Sequence, residues 1–279
     1  MKLVLEQFDS LDAFDRSLER PTNSVFAREE CSSHRKGRKN WAGTETWEEA
    51  MELFNNGWTE KADEIRRDFV KFERAQERQV SYEKSRPTTS VVGFTPHVPN
   101  AVLGLPNSMI HTERQPMKAK VVRIVYNMSM NANTEADDIM RTGLAVLKIA
   151  YSLERQGMRV RVDVNPYLAK SGDEKTCLLV SVKDWRQQID IKKVAFPMAH
   201  PSMFRRLGFR WLETTPNLSN SSWTGGYGSQ LANAAESKKF LTDELKVLKE
   251  NDYFVDVTIG QKCNFDVKKI AEEIGIKNL

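Results

Sequence analysis

The stretch from Lys118 to Val164 constrains this chain more than any other. Val121, Val122, Ile124 and Val125 form a β-branched run that predicts a strand. From Asp138 to Gln156 the spacing predicts a helix, because Ile139, Gly143, Val146, Leu147, Ala150 and Leu153 fall on one side and Gly157 ends the pattern. Arg159 to Val164 then alternates as a second strand. Strand, long helix and strand make a βαβ unit, which requires adjacent parallel strands joined by a right-handed crossover.

The rest of the C-terminal half keeps the alternation. Thr176 to Val182 predicts a third strand, antiparallel or at an edge beside the second, since Pro166 and Ser171-Gly172 interrupt the connection. Ile191 to Trp211 predicts mostly helix with a break near His200-Pro201, where His200 caps or turns the chain. A Gly/Ser/Asn loop from Asn217 to Ser229, a helix from Gln230 to Asn251, a strand from Tyr253 to Ile259 and a helix from Asp266 to Ile274 complete it. The expected class is therefore α/β, a Rossmann-like sheet domain over residues 117–279.

Residues 1–86 read as a helical region. Ser10 to Arg20 predicts a short helix, and residues 22–40 a polar, basic loop. A helical hairpin comes next: Glu45 to Phe54, with Thr44 or Thr46 as N-cap and Gly57 past its end, then Thr59 to about Glu83 with Ala62, Ile65, Phe69, Phe72, Gln76 and Val80 inward. Residues 87–116, punctuated by Pro96, Pro99 and Pro106, show neither period and read as an ordered connector.

Composition narrows the function classes. No run approaches the roughly 18 apolar residues that a membrane helix needs, so no membrane partner is expected. Glu6 and Asp9 break the start before any secretory cleavage pattern, and Cys31, Cys177 and Cys263 are too far apart for a disulfide framework or zinc spacing; a cytoplasmic protein is expected. The net charge of +4 is mild, so its distribution matters more than its size.

Catalytic material is scarce: no phosphate-cradle glycine motif, no nucleophile elbow and no paired histidines occur. Cys177 reads as core, and Arg205, Arg206 and Arg210 read as snorkelling arginines at the end of an amphipathic helix. No catalytic residue and no bound cofactor is expected, and the chain reads as a non-enzyme.

In an open α/β sheet ligands sit beyond the carboxyl ends of the strands, which directs attention to Asn127-Met-Ser129-Met-Asn131. The arrangement resembles the von Willebrand factor A-like domain, in which an Asp-x-Ser-x-Ser run after the first strand ligates a divalent metal ahead of a long helix. The resemblance implies Mg²⁺ at Asn127, Ser129 and Asn131; with an amide where the family has its carboxylate, a degenerate site, weak or empty, is expected. The later family acid has one candidate in Asp184. A second resemblance covers more of the chain: Trp41-Ala-Gly-Thr-Glu-Thr-Trp-Glu-Glu-Ala50 through Gly57-Trp58, then Gly93 to Met109, is similar to an uncharacterised bacteriophage family, which implies an infected host cell as the setting.

Nucleic-acid binding has its own residues. Arg35, Lys36, Arg38 and Lys39 run into Trp41, and Trp223 and Tyr227 stand in a glycine-rich loop, the mixture of cations and aromatic platforms that single-strand binders use; the other reading is that Trp41 and Trp223 anchor their loops to the core. Two readings result. One is a non-enzymatic interaction protein whose degenerate α/β domain binds a protein partner or assembles as a homo-oligomer; the alternative binds single-stranded DNA or RNA in phage replication or transcription.

Overall fold

The computed structural model describes residues 2–26, 31–75, 86–113, 120–218, 221–224, 226–231 and 233–277. The expected continuation of the second hairpin helix through Gln76 and Val80 to Glu83, and the connector's last residues, 114–116, lie outside them. The strands are β1 (Lys2–Phe8), β2 (Arg86–Ser90), β3 (Thr95–Pro96), β4 (Met109–Glu113), β5 (Val121–Asn127), β6 (Arg159–Ser171), β7 (Glu174–Lys183) and β8 (Tyr253–Asp256). Two compact units result, Met1–Glu77 with Val121–Leu279, and Arg78–Lys120.

The larger unit is mixed α/β with a parallel-rich five-stranded sheet in the order β1-β7-β6-β5-β8. β5 pairs in parallel with β6, Val121 opposite Arg159, across the helix Ala136–Arg155. That is the predicted βαβ unit. β7 turns back antiparallel to β6 through Gly172, whose φ of +56° suits a residue without a side chain. Alternation splits the sheet between two cores: Ile124, Tyr126, Val162 and Val164 face one, while Val125, Leu168, Cys177 and Phe254 face the other with Phe240, Leu241 and Leu248. Burying each large apolar side chain contributes roughly 1.5–3 kcal/mol. At Gly143 the helix Ala136–Arg155 meets the helix Ile191–Ala199 so closely that an added Cβ would lie 2.0 Å from the Met198 carbonyl oxygen.

The first 77 residues do not stand apart as a helical region. Lys2–Phe8 extends the sheet, pairing in parallel with β7 from Lys2 opposite Glu174 to Phe8 opposite Val180. Its half-exposed edge position leaves too little alternation to mark it in sequence. The two helices of the expected hairpin form as Trp47–Asn56 and Thr59–Ala75: the Glu49 amide donates to Thr46 Oγ1 at 3.2 Å, and Gly57 turns the chain between them at φ +81°. Ile65 and Phe69 of the helix Thr59–Ala75 enter the same core as Tyr126 and Ile149. Toward the C-terminus two expectations shrink. The helix expected from Gln230 becomes Ala234–Lys239 with a wider turn over Phe240–Glu244, and the last strand stops at Asp256, which caps the helix Val257–Lys262.

The smaller unit replaces the expected irregular connector with a three-stranded antiparallel sheet, β2-β4-β3. Pro87 and Pro96 occupy its two edge strands, where a missing N–H breaks no ladder. Strands this short carry no readable period.

Candidate functional site

The carboxyl edge of β5 and β6 gathers residues from distant parts of the larger unit. After Asn127 the chain turns at once: the Ser129 amide donates to Asn127 Oδ1 at 3.1 Å, and the Ser129 hydroxyl donates to the Leu168 carbonyl at 2.9 Å. Two residues on, the Asn133 amide donates to Asn131 Oδ1 at 3.2 Å. These are local side-chain turns of the kind Asn and Ser favour. Asp256, opposite Asn127 in register, has its carboxyl raised chiefly by burial and spends Oδ1 on Thr258 and the Ile259 amide. Asp184 comes after β7 at the opposite end of the sheet, where it accepts the Arg186 amide. A hard cation needs several free oxygen donors. Asn127 and Asn131 already accept with Oδ1, the run holds no carboxylate, and among the described residues no three His, Cys, Asp or Glu side chains gather as a metal set. Mg²⁺ does not fit this edge.

Beside the turn lies a cleft of about 350 Å³ lined by Ser129, Asn131, Tyr167, Phe209, Tyr227 and Gln230, among others, with Trp41 at its margin. Its walls are rings, amides and hydroxyls, with no acid, base or thiol among the described lining residues. A second hollow of about 480 Å³, lined by Arg38, Lys39, Asn40 and Glu45, shares Trp41 and Ala132 with the first. Three segments that the sequence treats separately therefore converge: the Asn127–Asn131 turn, the basic stretch with Trp41, and the glycine loop with Tyr227.

The structure separates the two readings of the aromatic residues, platform and anchor. Trp223 is fully buried and its indole N–H donates to Glu174, so it anchors the glycine loop and is no exposed platform. Trp41 is half-buried; its indole N–H donates to the Ala132 carbonyl at 2.9 Å, and its ring holds the Arg205 guanidinium at 4.6 Å and Arg38 at 5.5 Å. Tyr227 stacks on Phe209 at 4.7 Å between centroids and adopts φ +64°, an uncommon conformation for a bulky residue. Its hydroxyl donates to Glu213 at 2.7 Å and accepts the Ser32 amide at 2.8 Å. Burial and the Glu213 carboxylate raise that phenol's pKa.

Arg205 and Arg206, read in sequence as snorkelling, are buried. Arg206 makes five hydrogen bonds to the segment 33–45: Nε to Thr44 Oγ1, Nη1 to the Ser33 and Arg35 carbonyls, and Nη2 to the Thr44 and Glu45 carbonyls, at 2.7–3.2 Å. It is the peg around which the basic stretch folds. Arg205 donates to the carbonyls of Trp41 and Thr134, its Nε has no partner among the described residues, and burial lowers its pKa to about 10. The sequence signal for both is an arginine pair enclosed by apolar residues in MFRRLGFRWL. Around them Lys36 and Lys39 are exposed, and Arg35 and Arg38 half-exposed.

From residue 2 to residue 278 the chain matches the family described as a domain of unknown function (DUF7192). It belongs to that family. No curated protein and no solved structure matches it.

Proposed function

We propose that the protein is a non-enzymatic binding protein that holds single-stranded nucleic acid across the carboxyl edge of its sheet. One observation carries this reading: the aromatic and amide cleft adjoins the basic hollow at Trp41, so a base inside the first leaves its phosphates near Arg38 and Lys39. Two buried guanidiniums bonded to carbonyls and a hydroxyl, those of Arg205 and Arg206, strengthen the positive field there. A lining of rings, amides and hydroxyls supports binding over catalysis.

The same reading treats the sheet as a degenerate von Willebrand factor A-like domain. The turn Asn127-x-Ser129-x-Asn131 after the first strand of the βαβ unit, ahead of the helix Ala136–Arg155, supports it. The blocks Trp41 to Trp58 and Gly93 to Met109 support a phage setting, with replication or transcription in the infected host's cytoplasm as the process.

Fluorescence anisotropy of labelled single-stranded and duplex oligonucleotides tests the proposal. Single-strand affinity should fall steeply with added salt and be indifferent to Mg²⁺. Replacing Arg35, Lys36, Arg38 and Lys39 together by Gln should flatten the salt slope, by about 0.7 for each phosphate that is no longer neutralised. An unchanged slope rejects this placement. Absence of any strand binding, with concentration-dependent mass in sedimentation equilibrium, would pass the site to a second copy of the chain.

A further inference from the structure

We propose that the smaller unit is a self-association module whose apolar stretch, residues 91–105, docks against the same stretch of a second copy of the chain, independently of any strand held by the larger unit. Seven of the eleven large apolar side chains exposed among the described residues lie between Val91 and Leu105, with Val92 75%, Phe94 70%, Val102 80% and Leu103 72% exposed. Both segments that carry them are fastened at the start of β4. The β2–β3 connection is held by the Phe94 amide, which donates to the Ile110 carbonyl at 3.0 Å, and by Gly93, where an added Cβ would lie 2.2 Å from that same oxygen. In the loop after β3 the His97 amide donates to the Ser108 carbonyl at 2.7 Å, and Asn100 Nδ2 to the Asn107 carbonyl at 2.8 Å.

Hydrogen bonds hold the backbone here, but no core does: not one residue from 87 to 111 is buried. Three short strands need an apolar face covered before they are stable. The seven residues expose roughly 800 Å², about what each partner gives to a standard-size interface and more than a monomer usually leaves open in one patch. Charge selects the occupant. In a chain that is 29% charged, no Asp, Glu, Lys or Arg occurs between Pro87 and Thr112. A nucleic acid or an anionic membrane would call for cations on this face. A two-fold interface, by contrast, sets a patch against its own image, so any charge on it would meet its like. Uncharged and rich in exposed Val, Leu and Phe, the stretch is complementary to itself.

Sedimentation equilibrium of the full chain tests this, beside a variant carrying Val92→Lys and Val102→Lys together and a control, Val70→Lys, at a 45% exposed position of the larger unit. The wild type should pass from one copy of 32.0 kDa to two as its concentration rises. The double substitution should weaken that dimer at least about a hundredfold and leave the thermal melt of the dilute chain unchanged, while Val70→Lys should leave the dimer intact. A wild type that stays monomeric at every concentration overturns the inference. In that case a lower melting temperature of the double variant assigns the patch to the chain's own surface, flotation of the wild type with phosphatidylcholine vesicles assigns it to lipid, and neither assigns it to a different protein. A dimer that resists the double substitution, or masses beyond two copies, also overturns it.

Discussion

The two ends of the central sheet solve the same problem, polar groups next to a core, in opposite ways. At the amino end, Asp163 accepts from Arg123 at 2.6 Å and Arg161 at 2.9 Å, Arg123 also pairs with Asp252 at 2.9 Å, and buried Lys183 pairs with Glu154. Each of these charges has its opposite. At the carboxyl end the turn residues are neutral, the guanidiniums of Arg205 and Arg206 bond to carbonyls and Thr44, and Gln230 Oε1 and Arg205 Nε have no partner among the described residues. Saturated networks fix a structure, whereas unspent hydrogen-bonding capacity is what a ligand can use.

The difference between the ends is sharpest at Asp163. Asp163→Leu leaves Arg123 and Arg161 without their shared counter-charge and should cost roughly 3–5 kcal/mol in chemical denaturation. Oligonucleotide affinity of the folded fraction should stay as it was. A matching loss of affinity would join the two ends and break the division. Arg206→Met comes next: removing the peg strands carbonyls of the segment 33–45 and should cost about 2–4 kcal/mol. Here affinity should fall as well, because the basic stretch loses its anchor; reduced stability with affinity intact would detach that stretch from the site.

Acid separates the ends less strongly. His200 closes the helix Ile191–Ala199, stacks on Phe196 at 4.8 Å, accepts the Ser202 amide on Nδ1, and is depressed by burial to about 3. The folded state holds it neutral while the unfolded chain takes up a proton below about pH 6.5. Stability from this residue is therefore complete above that pH and is lost as pH falls toward the folded value, by about 2 kcal/mol near pH 5. Urea titrations across this range should show the decline, and His200→Gln should flatten it. A decline unchanged in that variant would pass the acid sensitivity to His34, the other imidazole whose pKa burial lowers.

How much of the molecule is legible in its sequence depends on range. Periodicity acts over neighbours, so the βαβ unit, the helix with its Thr46 cap and Gly57 turn, and a third strand beside the second, antiparallel or at an edge, are readable. β1 is not, because its partner is β7, some 170 residues away, and a half-exposed edge needs no regular alternation. Within the site, Asn127, Ser129, Asn131, Trp41 and Tyr227 are each visible as chemistry, but their convergence is tertiary. Trp223 is ambiguous in sequence, since a glycine-rich loop allows either an exposed platform or an anchor, and only burial shows the anchor. Arg205 and Arg206 owe their bonding to what surrounds them, and composition does not encode an unmet hydrogen bond such as that of Arg205 Nε.

Tyr227→Phe is the smallest of these effects and the most specific. The ring keeps its stack on Phe209 and the backbone stays at φ +64°, while the hydroxyl linking the Ser32 amide to Glu213 is removed. Glu213 retains the Ser33 amide at 3.1 Å and the Ser33 hydroxyl, so its buried carboxylate is not abandoned. Stability should fall by only about 1 kcal/mol. The glycine loop and the chain leading into the basic stretch, however, lose a bond that ties one to the other. Single-strand affinity should therefore fall more than stability does, and the salt slope should be unchanged because no cation is removed. A slope that drops with the hydroxyl would mean that the bond positions the cations themselves, drawing the unsaturated end of the sheet and its basic rim into one device.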